Sequence, residues 1–266
     1  MGISPVTLKN YLKFHKDGIF ADTKSVFELG SQEVTCAGFE DILGEVLELF
    51  EAPKLSSEAL AQLANRGAGR DLYTLMGLEY NSIDTDGKFG ALPIDLNFDD
   101  VPEPHRNKYD FVTNFGTSEH IANQLNCFRV VHDLTKLGGY MFHEVPFTGC
   151  VNHGLFTYTP KFFWMLCKSN FYEYTYMYLH CDAPREFLHP HIIPMASFSL
   201  TEETFSHQDS LVCCLMRKVV DIPFVPPLDG DLGAAPREVL KRYWTLTEKN
   251  AYKKAIEAQK KAGKKY

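Results

Sequence analysis

The sequence contains no C-x-x-C pair: its seven cysteines, an odd number, are scattered at Cys36, Cys127, Cys150, Cys167, Cys181, Cys213 and Cys214. That spacing excludes a zinc ribbon or a stapled secreted scaffold and leaves reduced thiols acting as small core residues. Long apolar runs are missing too, so no segment is suited to crossing a bilayer, and no membrane partner is expected. Residues 1–16 mix Lys, Asn, His and Tyr with isolated apolar side chains instead of forming a secretory leader, which makes a cytoplasmic location the expectation. Positive charge is in deficit, with a formal net charge of -7. A protein that neutralises many phosphates carries a basic face, so nucleic acid is not the expected partner. The lysines of residues 249–264 stand among Ala and Glu at helical spacing and read as a solvated helix. A G-x-G-x-x-G turn after the first strand is also lacking, which counts against a nicotinamide dinucleotide.

What is present suits one elaborated α/β domain of 266 residues, 45% hydrophobic and 13% aromatic. Apolar runs and turn residues place a strand at Ser25–Leu29, a turn at Gly30 and Ser31, and an amphipathic helix from there to about Phe50. Residues 56–76 read as helix broken near Gly67 and Gly69, and Glu79–Ile83 as a strand ending at Asp84. A short strand follows at 91–96, then a strand at 109–114, a helix at 118–134 and a strand at 140–145. Further on come a helix at 160–169, a tyrosine-dense strand at 171–179 and an apolar strand at 211–220. Strands alternating with helices predict a doubly wound, mostly parallel sheet covered on both faces. The core spans about 22–222, with an N-terminal helix, a proline-bearing loop-rich insertion at 181–210 and a C-terminal helical extension at 236–266.

Four pieces carry chemistry. Glu28 and Gly30-Ser31-Gln32 put an acid and a tight turn at the end of the first strand, where the backbone can approach a ligand. Asp84 ends the second strand, where a carboxylate can accept from both hydroxyls of a ribose. Asp95 and Leu96 follow in a third, and Asn114-Phe115-Gly116 lead through Thr117 and Ser118 to Glu119 and His120 in the fourth. Taken singly these are ordinary turn and cap residues. In order and spacing they resemble the class I S-adenosylmethionine-dependent methyltransferases over roughly residues 25–146. The resemblance implies a seven-stranded Rossmann-like sheet and S-adenosyl-L-methionine as cofactor. It assigns Glu28, Gly30, Ser31 and Gln32 to the methionine part, Asp84 to the ribose, Asp95 and Leu96 to adenine, and Asn114, Phe115 and Gly116 to the floor. Glu119 and His120, which follow, are expected to contact the cofactor as well, with capping of the next helix the alternative for His120. The chain departs from the family in having one glycine at the first turn where two or three are usual.

Methyl transfer asks the protein to align an acceptor and exclude water, and a hydroxyl acceptor gains from a base. Position at the carboxyl ends of strands singles out His120, His143 and His153, and of these His143 and His153 are the pair expected to do that work. The plainer alternative makes His143 a partner for loop backbone and His153 a cap. His189-Pro190-His191 offers two imidazoles but no complete ligand set, so no metal is expected. The acceptor expected is oxygen or nitrogen of a small metabolite, a sugar or a biosynthetic intermediate; the acidic balance counts against nucleic acid and leaves protein substrates open. A binding or scaffold protein keeping the same fold without transferring methyl groups is the competing reading.

Overall fold

The computed structural model describes residues 2–150, 152–181, 191–194, 209–229 and 235–243, together with Lys253, Lys254 and Glu257. Helix α1 (Pro5–Lys16) opens on a capping box in which the Ser4 hydroxyl accepts from Thr7 N–H, with Pro5 at the first helical position. Strand β1 (Ser25–Leu29) is buried throughout, and Gly30 turns the chain with φ of 74°. The expected helix does not begin there. Residues Glu33–Thr35 form a short strand, β2, and helix α2 covers only Glu40–Leu49. Helix α3 (Ser57–Ala64) leads to β3 (Asn65–Ala68), which pairs antiparallel with β2 in a separate ribbon, and α4 (Gly69–Leu75) and β4 (Glu79–Ile83) follow.

Strand β5 (Tyr109–Phe115), helix α5 (Gln124–Leu134), β6 (Thr135–Thr148), α6 (Pro160–Asn170), β7 (Glu173–Cys181), β8 (His191–Pro194) and β9 (Ser210–Arg217) complete the core. A short helix, α7, follows at Arg237–Leu240. The main sheet has seven strands in the order β4-β1-β5-β6-β9-β7-β8. Strands β4, β1, β5 and β6 are mutually parallel, β9 runs antiparallel between β6 and β7, and β8 pairs antiparallel with the far edge of β7.

Two expectations change here. The strand expected at 91–96 is reduced to one bridge, Leu92 with Ile83. Pro93 has no N–H to give a ladder, and the Asp95 carboxylate turns back onto Asn97 N–H. The insertion expected to be loop supplies β8 instead, so the sheet reaches seven strands by a different membership.

Alternation along the buried strands divides the core in two. Phe27, Leu29, Val112, Met141 and Val145 face α5 and α6. Val26, Phe111, Phe115 and Phe142 face α1, α2 and α4. Central parallel strands need apolar side chains on both faces because helices cover both. The strand order reverses at β1, which lies between β4 and β5, and the chain passes from there to opposite sides of the sheet. In open α/β sheets the crevice at such a reversal, outside the carboxyl ends of the strands, is where ligands lie.

Candidate functional site

The carboxyl rim of β1, β4 and β5 is a continuous polar patch. Ser31 N–H donates to Asp84 Oδ2 at 3.0 Å, tying the β1 turn to the end of β4. Ser31 Oγ donates to the Lys88 carbonyl at 2.8 Å, and Gln32 Nε2 donates to Thr117 Oγ1 at 3.0 Å. Thr117 Oγ1 in turn donates to the Leu29 carbonyl at 2.7 Å, joining β1 to the loop after β5. A Cβ at Gly30 would lie 2.4 Å from Thr117 Oγ1, so the glycine is required by the packing of the turn itself. Gly30, Ser31, Gln32 and Asp84 are therefore brought together. Sequence reasoning passed over Thr117, whose only signal was its place in a polar turn after a buried strand.

Glu28 points into the face shared with Tyr73 and Tyr80. Its Oε2 accepts from Gln32 N–H at 3.0 Å and from the Tyr80 hydroxyl at 2.8 Å, while Oε1 is buried with no partner. Burial pushes this carboxyl up to about 8. A buried acid with one orphaned oxygen beside the turn leaves an acceptor open to a further donor.

The residues assigned to adenine are less alike. Asp95 Oδ1 accepts from Asn97 N–H and Nδ2, whereas Leu96 is a core side chain whose carbonyl accepts from Asn126 Nδ2. Asn97 then ties this loop to the loop after β5 by accepting from Ala122 and Asn123 N–H. Asn114 closes the turn after β5: its Oδ1 accepts from Ser118 N–H and its Nδ2 donates to Ser118 Oγ. Phe115 is buried on the α1 face, and Gly116, with φ of 72°, donates its N–H to the Glu144 carbonyl.

His143 does not end its strand. Strand β6 runs on to Thr148, and the imidazole projects into the α5 and α6 face between Phe128 and Phe163, 1% exposed. Burial brings it down to about 3, so it is neutral. Its Nδ1 lies 3.1 Å from Asn114 Nδ2 and accepts from it, which leaves the proton on Nε2, where no acceptor stands. This geometry suits a group that positions Asn114, not a base in reach of an open acceptor site.

His153 is the opposite case. It lies in the loop after β6, 32% exposed, with Nε2 3.3 Å from Glu119 Oε1. His120 stacks edge-on with it at 5.0 Å between ring centroids, its Nε2 4.0 Å from the same oxygen. The structure thus gathers Glu119, His120 and His153, named separately in the sequence, at one point of the rim. His189 and Pro190 lie outside the described residues.

The helix face of the rim is closed by groups that sequence reasoning did not single out. Glu144 is buried, and its carboxylate accepts from Thr7 Oγ1 at 2.6 Å and Asn10 Nδ2 at 2.7 Å on α1. Burial raises this acid while the two α1 donors oppose the rise. Its sequence signal was an acid between His143 and Val145, inside an expected strand and on the same face as Phe142. No helix among the described residues is long and apolar enough to cross a membrane.

The fold and rim together define a Rossmann-like α/β protein with its polar site at the β1 reversal. No protein-family model and no curated protein matches the chain. Among solved structures it is similar to a SAM-dependent methyltransferase from Archaeoglobus fulgidus, at 12% identity and a TM-score of 0.43 over 80% of this chain and 92% of that one. It is similar to a SAM-dependent methyltransferase from Aquifex aeolicus, at 12% identity and a TM-score of 0.37 over 81% and 98% of the two chains. A third is the 1,6-didemethyltoxoflavin-N1-methyltransferase of Burkholderia thailandensis, solved with S-adenosylhomocysteine, at 10% identity and a TM-score of 0.36 over 80% and 87%.

Proposed function

We propose that this protein is a class I S-adenosyl-L-methionine-dependent methyltransferase acting on oxygen or nitrogen of a small molecule. The observation that carries the reading is Asp84: a carboxylate at the end of the strand beside β1, one hydrogen bond from the Gly30–Ser31 turn, at the reversal of a doubly wound sheet. In this reading Asp84 accepts from the ribose hydroxyls, Glu28 and the turn through Gln32 hold the methionine part, and Asp95 faces the base. S-adenosylmethionine, when bound, supplies a methyl group already activated by a sulfonium.

The chain's own task is alignment and exclusion of water. Asn114, held by Ser118 and His143, fixes the loop that carries Thr117 and Glu119. His143 is a positioning residue, and the acceptor side falls to Glu119, His120 and His153, where two imidazoles reach the surface. A net charge of -7 favours a small or cationic acceptor over nucleic acid.

Calorimetric titration of the full chain with S-adenosylmethionine and S-adenosylhomocysteine tests the cofactor, with one saturable site expected for each. Absence of saturable heat with both would sink the reading. A mass-spectrometric screen for a 14-dalton gain on hydroxyl and amine compounds, an increment set by replacing hydrogen with methyl, then separates an enzyme from a binding protein of the same fold.

A further inference from the structure

Two loops from neighbouring parallel strands meet above the rim. After β5, residues Ser118–His120 form one short turn of 3-10 helix, which presents Glu119 and His120 side by side. After β6, the loop carrying His153 is pressed onto that turn: Leu155 N–H donates to the Glu119 carbonyl at 2.7 Å. A Cβ at Gly154 would stand 2.7 Å from Glu119 Cγ, so no side chain is admitted between the loops. The fold therefore holds these residues together.

Glu119 is the anomaly in the group. Its side chain is fully buried, yet neither carboxylate oxygen accepts a hydrogen bond, and His153 Nε2 facing it is unsatisfied as well. A buried carboxylate stripped of donors is costly unless a cation compensates it. The ligand atoms of Glu119, His120 and His153 all lie within 4.8 Å of one another. Around an ion with bonds of about 2.1 Å, tetrahedral neighbours are roughly 3.4 Å apart. The Glu119–His153 separation of 3.3 Å already meets that, and the 4.0 Å of His120 closes by a small swing of a ring that is 45% exposed.

We propose that Glu119, His120 and His153 form a binding site for one divalent first-row metal ion of the zinc type. Two imidazoles and one carboxylate are a borderline donor set, and three protein ligands leave coordination positions open. A hydroxyl oxygen entering one of these positions is acidified and releases its proton to water at a lower pH than it would alone. Resting on the methyltransferase reading, this narrows the acceptor to a hydroxyl compound, one with two adjacent oxygens being best suited to chelate the ion. The three ligands come from positions 119, 120 and 153, a spacing that matches no ligand motif, which is why the sequence did not announce them.

The test uses the full chain, stripped with a chelator and titrated with Co²⁺ as a spectroscopic probe, then with Zn²⁺ in competition. One equivalent of Co²⁺ with visible d–d bands and no thiolate charge-transfer band is expected. His153→Ala and Glu119→Gln should each weaken binding at least 10-fold, and the half-exposed position of His153 makes its variant the one that keeps the fold. Absence of a saturable spectrum, a thiolate band, or wild-type affinity in His153→Ala would overturn the site and leave Glu119 as an ordinary ion-pair partner of His153. Titration of the same preparation with S-adenosylhomocysteine keeps the two readings apart. Cofactor heat without Co²⁺ binding removes only the metal site, and Co²⁺ binding without cofactor heat removes only the methyltransferase.

Discussion

Replacing Asp84 by alanine tests the site at the joint between the β1 turn and the end of β4. The carboxylate has two duties: its Oδ2 holds Ser31 N–H at 3.0 Å, and the proposed function gives it the ribose hydroxyls. A hydrogen bond to an ionised group contributes about 1.5–3 kcal/mol, so losing the ribose contact weakens S-adenosylhomocysteine roughly 10- to 150-fold. Loss of the Ser31 bond acts on the fold instead, by about 0.5–1.5 kcal/mol, because Asp84 is only half-buried and water can replace it. The two effects separate experimentally: calorimetry reads the first and a urea midpoint the second. Asp84→Asn keeps an acceptor for Ser31 and loses the charge, so it should fall between wild type and alanine in affinity with a nearly unchanged midpoint. Wild-type affinity in Asp84→Ala would refute the ribose assignment and, with it, the placement of the nucleoside on this rim.

Gly30→Ala introduces a Cβ 2.4 Å from Thr117 Oγ1 on a backbone with φ of 74°, and should lower the urea midpoint by the equivalent of about 1–3 kcal/mol; an unchanged midpoint would mean the turn is not packed as described. Thr7→Val removes a donor from buried Glu144 at 2.6 Å and should destabilise the protein by about 1–3 kcal/mol, read by thermal melting beside Thr7→Ser, which keeps the hydroxyl. Glu28 carries a pH signature: its folded value of about 8 lies above the ordinary 4.5, so the folded protein holds a proton that the unfolded chain releases between those values. Stability should therefore fall as pH rises through that window in the ligand-free protein, and Glu28→Gln should flatten the profile; superimposable profiles would show that Glu28 is ionised when folded.

How much of this was legible in the sequence follows from where the information is local. Strands β1 and β4 have the bounds read from sequence, Ser25–Leu29 and Glu79–Ile83, because each is a short run ended by a residue that breaks a ladder, Gly30 or Asp84. The helix expected straight after Gly30 failed because β2 is three residues long and its partner lies about thirty residues away in β3, beyond the reach of any periodicity. The rim residues Gly30, Asp84, Asn114 and Gly116 were legible as turn chemistry. His143 misled because the strand was expected to end at 145, just beyond it, whereas pairing with β9 carries β6 on to Thr148. The grouping of Glu119 with His153 could not be read at all, since it depends on two loops that meet only after β5 and β6 have paired.

The tie between α1 and Glu144 also bears on the order in which the molecule assembles. Thr7 and Asn10 are made well before their partners: Glu144 lies 137 and 134 residues further on, and the Tyr178 hydroxyl that donates to Asn10 lies 168 residues away. Helix α1 must therefore wait for more than 130 further residues before its polar side is satisfied. Docking of this helix belongs to the late stages of folding, and a nascent chain halted before β6 would leave it unanchored.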